Sequence, residues 1–214
     1  MKTCIRIVKA GFSLLELLIV IAMLAVLVVG LLNQTWQSKQ KAARITCVSH
    51  LKQIGLSFRI YAGDNRDRYP MNISTNGEPI VNEATPVYQY FQHTSNELGT
   101  PIIVVCPNDL KRKATNNFTN LGNSNISYFI GLDGTENLPQ TIVSGDRNIT
   151  NGFAPMNGIL DLTTNQLAGF TDEIHVRQGN IAIGDGSVQQ VSNAQLRSLI
   201  IAPSDLKTNR IKLP

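Results

Sequence analysis

Aromatic residues make up only 6% of this chain, and it holds just three histidines. Few stacking platforms argue against nucleic-acid binding. Three scattered histidines give no spacing argument for a base beside a cysteine nucleophile. Gly-x-Ser-x-Gly, His-Glu-x-x-His and phosphate-cradling glycine loops are all missing, which removes the commonest hydrolase, metalloprotease and nucleotide-binding signals. No long low-complexity stretch points to disorder, and 43% apolar residues suffice for a core.

The surplus of positive charge is also misleading. The net charge of +4 owes three charges to Lys2, Arg6 and Lys9, ahead of a long apolar run. Without that leader the chain carries +1, so the basicity is a targeting feature rather than a nucleic-acid footprint. Cysteine is equally sparse. Cys4 lies in the leader, leaving Cys47 and Cys106. An even pair in an exported chain favours a disulfide, with two unpaired thiols as the alternative.

What is present begins with 21 residues, Phe12 to Leu32, interrupted by the carboxylate of Glu16. At about 1.5 Å per residue such a helix crosses a bilayer's hydrocarbon core. The run exceeds a secretory signal's apolar region, and no small-residue cleavage site follows, so it reads as a retained anchor. Positive residues close on its N-terminal side, with Lys39, Lys41 and Arg44 farther off on the other, predict an N-terminus in the cytoplasm. A carboxylate at bilayer depth costs about 2.5–3.5 kcal/mol, so Glu16 either snorkels to the interface or meets a cation from another molecule.

Beyond the anchor, Ile45, Val48, Leu51, Ile54, Phe58 and Tyr61 recur every three or four residues. This predicts an amphipathic continuation of the helix to about residue 62, where Gly63 and then Pro70 stop it. Downstream segments are short and separated by Gly, Asn, Asp and Pro, which predicts strands at Ile102–Cys106, Ile126–Gly131, Gln140–Ser144 and Gly158–Leu162. "NIAIGDGSVQQV" reads as a hairpin turning at Asp185-Gly186. "SNAQLRSLI" reads as a helix with Ser192 as N-cap and Gln195 completing a capping box. A short helix is expected near Val87–Phe91, and residues 107–125 read as an Asn-rich loop. The expected class is α+β, a long N-terminal helix packed on a small antiparallel sheet.

The junction "KAGFSLLELLIVIAMLAVL" resembles the class III signal of type IV pilins and type II secretion pseudopilins. The resemblance implies a leader of residues 1–11 cut by prepilin peptidase between Gly11 and Phe12, with Phe12 then N-methylated. Residues 12–32 would be the membrane and assembly helix, 33–62 its amphipathic continuation and 63–214 a periplasmic head. Glu16 falls at the fifth mature position, where the family pairs a Glu with a neighbouring subunit's terminal amine. Other pilin-like subunits and an inner-membrane assembly platform are the implied partners, and a filament the implied product. A minor pilin that binds DNA, glycan or secreted cargo is the alternative, and an anchored periplasmic enzyme a third.

A second resemblance covers "CVSHLKQIGLSFRIYAGDNRDRYP", Cys106-Pro107-Asn108-Asp109, and His175 followed after nine residues by Asp185-Gly186. These are similar to motifs of a large group of pilin-like proteins from planctomycete and verrucomicrobial bacteria, whose role is unsettled. His175 and Asp185, with Asp146 and Asp172, raise a metal or acid-base site, but their spacing meets no standard template. Asp185 is better explained by the turn, and His175 by a surface or loop-anchoring role. Similar pseudopilins bind calcium in a C-terminal loop, which makes Asp172 and Asp185 calcium candidates. The run Lys111-Arg112-Lys113 reads as a solvated loop.

Overall fold

The computed structural model describes residues 11, 13–72, 84–135, 137–163, 167–201 and 208–214. Phe12 and the charged leader residues Lys2, Arg6 and Lys9 lie outside them, as does Cys4. The chain divides into two compact units with the boundary between Lys41 and Ala42.

Helix α1 runs without interruption over Leu14–Asp64. Its start is a capping box. Ser13 Oγ accepts from the Glu16 N–H at 3.2 Å, and Glu16 Oε2 accepts from the Ser13 N–H at 3.4 Å. Ser-x-x-Glu was hidden in the sequence by the apolar letters around it. The carboxylate that looked out of place in the run is thus engaged with its own helix terminus, where negative charge is favoured. The following window, Leu14–Leu31, has a mean hydropathy of 3.0 and no buried residue. By length and composition it is able to cross a membrane.

In the second unit, α1 buries Cys47, Leu51, Ile54, Phe58 and Ala62. Each fully buried large apolar side chain contributes about 1.5–3 kcal/mol. The stripe is therefore shifted from the expected one, because Ile45 is 65% exposed and Cys47 sits on the buried face instead. At the helix end Arg66 and Asp67 take left-handed φ values, and Asp67 N–H bonds Ala62 O at 2.9 Å, which satisfies a terminal carbonyl.

The strands are β1 (Tyr128–Gly131), β2 (Ile142–Asp146), β3 (Ile149–Thr150), β4 (Ile159–Thr163), β5 (Gly169–Phe170), β6 (Gln178–Ile183), β7 (Val188–Ser192) and β8 (Thr208–Lys212). Among the described residues six of them form one sheet, ordered β4-β8-β1-β2-β6-β7, and β3 pairs with β5 separately. Every pairing is antiparallel. The structure is therefore α+β, with an N-terminal apolar helix and an antiparallel sheet.

The sheet divides the head's apolar interior into two cores by strand alternation. Tyr128, Ile130, Val143 and Ala182 join the α1 stripe. Phe129, Ile142, Ile181 and Ile183 point the other way, towards Leu196 and Ile200 of α4 (Asn193–Ile201). Helix α4 begins as expected, with Gln195 Oε1 accepting from Ser192 N at 2.9 Å. Helices α2 (Val87–His93) and α3 (Ser95–Leu98) lie on the α1 side, contributing Val87, Tyr90, Phe91 and Leu98 to that core.

One expected strand is not a strand. Pro101–Val104 forms a 3-10 turn, with Pro101 in its first turn and Thr100 Oγ1 accepting from Ile102 N. Proline there cannot donate to a ladder but suits a helix start. Ile103 and Val104 still turn inwards, so the β-branched run reported burial rather than strand.

Candidate functional site

The two cysteines meet. Cys47, on the buried face of α1, is bonded to Cys106, which follows the 3-10 turn. Both sulfurs belong to wholly buried residues. The bond closes a loop across a sequence separation of 59 residues.

His175 lies against that bond. Its Nε2 is 3.5 Å from Cys106 Sγ and 3.5 Å from Asp146 Oδ2. Its Nδ1 is 3.2 Å from Asn108 Nδ2. An amide nitrogen only donates, so with this placement Nδ1 accepts and Nε2 carries the ring proton towards the carboxyl and the sulfur. His175 is 7% exposed, which rules out a surface role and supports a loop-anchoring one.

The chain around His175 is bent to hold it there. Val176 and Arg177 have φ of 48° and 57°. A β-branched residue in the left-handed region is an outlier that costs about 1–3 kcal/mol. The pair reverses the loop so that Arg177 N–H reaches Thr171 O at 3.2 Å. Arg177 and Asp172 form an exposed ion pair across the same loop.

Asp146 ends β2. Its Oδ2 accepts from the Asn180 backbone N–H at 2.7 Å and from Asn180 Nδ2 at 2.9 Å, while Oδ1 has no hydrogen-bond partner. The preceding Gly145 permits this close approach, since a Cβ there would lie 2.7 Å from the Phe129 ring and 2.8 Å from Asn180 O. Burial pushes the Asp146 carboxyl up to about 7, the two Asn180 donors offsetting it only in part. Burial, then the charge of Arg44, push His175 down to about 4. Between about pH 4 and pH 7 the pair is therefore neutral, an acid facing an imidazole.

Beside this neutral pair runs a charged one. Asp109, 3% exposed, accepts two hydrogen bonds from Arg147, Nε to Oδ2 and Nη2 to Oδ1, both at 2.7 Å. Burial acts to raise the Asp109 carboxyl, and the Arg147 fork outweighs it, leaving the group below its usual range. Arg147 Nη1 also bonds Glu173 at 2.9 Å, and Lys111 bonds the other Glu173 oxygen. So Lys111 of the basic run has a partner, and Arg112 donates to Pro214 O at 3.4 Å.

Both sequence motifs now have a geometric reading. Cys106, Asn108 and Asp109 touch the disulfide partner, His175 and Arg147 respectively. The nine residues between His175 and Asp185 contain the whole of β6, about 20 Å of strand. Asp185 is at the far end, its Oδ1 accepting from Ser187 N at 2.8 Å, and Gly186 supplies the turn's φ of 86°. Arg59 of α1 donates to Asp185 O at 3.3 Å. The motif thus pins both ends of β6, one to the disulfide and one to α1. Asp172 and Asp185 lie at opposite ends of that strand and do not converge.

No family model, curated protein or solved structure matches the chain. What the site can do is thus argued from its own atoms. Sequence reasoning placed His175 with Asp146 among possible partners and paired the cysteines. It missed Arg147 as the partner of Asp109, and it missed Asn180; neither carries a spacing signal, since each meets its partner across the sheet or between loops.

The neutral pair makes opposed contributions to stability with pH. Asp146 keeps a proton in the native state that an ordinary carboxyl loses near 3.8, so its contribution is full below about pH 4 and is lost as pH rises to about 7. His175 stays neutral where an ordinary imidazole takes a proton below 6.5, so its contribution is full above that and is lost as pH falls to about 4. The two slopes cancel between pH 4 and 6.5 in the oxidised protein. Asp146→Asn is expected to unmask the histidine slope, with urea midpoints falling towards acid. His175→Gln is expected to give the opposite trend, midpoints falling as pH rises. Parallel pH profiles in wild type and both variants would contradict the neutral pair.

Proposed function

We propose that the chain is a structural subunit of a pilin-like filament, made as an inner-membrane precursor and assembled through α1 after its leader is removed. The reading is supported by one conjunction at the N-terminus. An exposed Gly11 outside the helix precedes a Ser13–Glu16 cap, and the cap opens an apolar window, Leu14–Leu31, none of which is buried among the described residues. The same helix continues into an α+β head, as a pilin-like subunit requires. In this reading the membrane is the precursor's environment and a stack of neighbouring helices is the later one. The head faces the periplasm, an oxidising compartment compatible with the Cys47–Cys106 bond.

Mass spectrometry of the chain made in cells with a prepilin peptidase tests the reading. The expected product begins at Phe12 and carries a methyl group on its amine. A chain that retains residues 1–11 beside an active peptidase would overturn it.

The cap gives Glu16 a second role, and the two roles are separable. Glu16→Gln keeps an oxygen for the Ser13 N–H but removes the charge, whereas Glu16→Ala removes both. Both variants are expected to be cut and to give few filaments if the charge meets a neighbour's terminal amine. Wild-type filament yield from Glu16→Gln, counted by electron microscopy, would leave Glu16 with the cap alone.

A further inference from the structure

We propose that Cys47, Cys106 and His175, with Asp146 as a fourth ligand, form a redox-gated site for a tetrahedral, thiolate-binding divalent ion of the zinc type, open only when the disulfide is reduced. The cysteine sulfurs and a ring nitrogen of His175 already lie within 4.8 Å of one another, and all three residues are buried. Zn–S and Zn–N bonds of about 2.3 and 2.05 Å at a tetrahedral angle set an S···N edge of about 3.6 Å. Cys106 Sγ and His175 Nε2 are 3.5 Å apart. A carboxylate oxygen at about 2.1 Å from the ion sets an N···O edge of about 3.4 Å. His175 Nε2 and Asp146 Oδ2 are 3.5 Å apart. Two edges that meet at His175 Nε2 are therefore in place; opening the bond lets the sulfurs separate, and Asp146, which is not among the ligand atoms within 4.8 Å of one another, moves in to close the site.

The donor set selects the ion. Two thiolates and an imidazole suit zinc and its tetrahedral relatives, while calcium takes six or more oxygens. Asp146 adds an independent sign, because its Oδ1 is wholly buried without a hydrogen-bond partner. The oxygen nearest His175 is Oδ2, which already accepts from Asn180, so a cation at the centre engages the unpartnered Oδ1 once the carboxylate turns.

The chemistry balances simply. A phosphine reductant and water give two electrons and two protons to the S–S bond, yielding two thiols and the phosphine oxide. Binding the ion then releases both thiol protons and the carboxyl proton to solvent. The His175 proton moves from Nε2 to Nδ1, and Asn108 turns its amide so that its oxygen accepts from Nδ1–H.

The test uses the full chain in detergent and Co2+ as a probe. With phosphine present, one Co2+ per chain is expected, with a thiolate-to-cobalt charge-transfer band that Zn2+ removes. The oxidised chain is expected to show no band. Zn2+ is expected to raise the Tm of the reduced chain and leave the oxidised chain unchanged. His175→Ala and the near-isosteric Asp146→Asn should each weaken Co2+ binding about tenfold or more, with circular dichroism confirming that both are folded. A reduced wild-type chain without the band, or binding that both folded variants leave unchanged, would overturn the site.

Discussion

Replacing Gly11 with Ala is expected to abolish removal of the leader and leave the whole population as precursor. The substitution isolates recognition from folding. Gly11 lies outside α1, and a Cβ built on it meets nothing within 4 Å. Alanine is also a good helix former, so the Ser13 cap and the helix behind it are not threatened. In the proposed reading any block therefore arises in recognition by the peptidase rather than in folding of this chain. The measurement is migration on a gel with and without active peptidase, alongside thermal melting of the head. The expected result is a slow-migrating band in both lanes and an unchanged melting curve. Normal cutting of Gly11→Ala would remove the basis for reading the junction as a prepilin signal.

The second large effect is expected at the disulfide. Reducing the bond, or replacing both Cys47 and Cys106 with Ala, frees a loop of about 60 residues in the unfolded chain. Chain entropy alone assigns that closure about 4 kcal/mol, within the usual range of about 2–5 for a native bridge. Alanine is the cleaner substitution, because a serine hydroxyl at either buried position would lack a partner. Denaturant unfolding of the oxidised, reduced and double-alanine chains, in a metal-free buffer, checks the figure. A difference below about 1 kcal/mol would mean that the unfolded chain already holds these segments together.

Much of the architecture was legible because local chemistry and tertiary role agree there. The hairpin at Asp185-Gly186, the Ser192 cap of α4 and the run in α1 each carry a turn or period that survives folding unchanged. The expected strands at Ile126–Gly131, Gln140–Ser144 and Gly158–Leu162 are found as β1, β2 and β4 with shifted ends. Strand β8 was not legible. Its sequence, Thr-Asn-Arg-Ile-Lys, offers one apolar residue, yet it lies inside the sheet between β4 and β1. It is tolerated there because Arg210 forks onto Asp133 and Lys212 Nζ donates to Asn157 O at 2.6 Å. Polar residues satisfied by distant partners look like loop in one dimension. The candidate site fails in the same way: the letters of Cys106, Asn108, Asp109 and His175 are visible, but Asp146, Arg147 and Asn180 join them only through β2 and β6.

The position of Cys47 has a mechanical consequence. Tension applied along α1 from its N-terminal end enters the head unit at Ala42 and reaches Cys47 before Leu51, Ile54 and Phe58. A pull strong enough to strip an apolar helix face would therefore meet a covalent bond first. The load passes through Cys106 to the rest of the head, and the chain between the two cysteines cannot be paid out as slack. If the chain is pulled by its helix, as the proposed function implies, the disulfide sets an unextendable link at that entrance, so the head resists force as a block and yields chiefly when chemistry opens the bond.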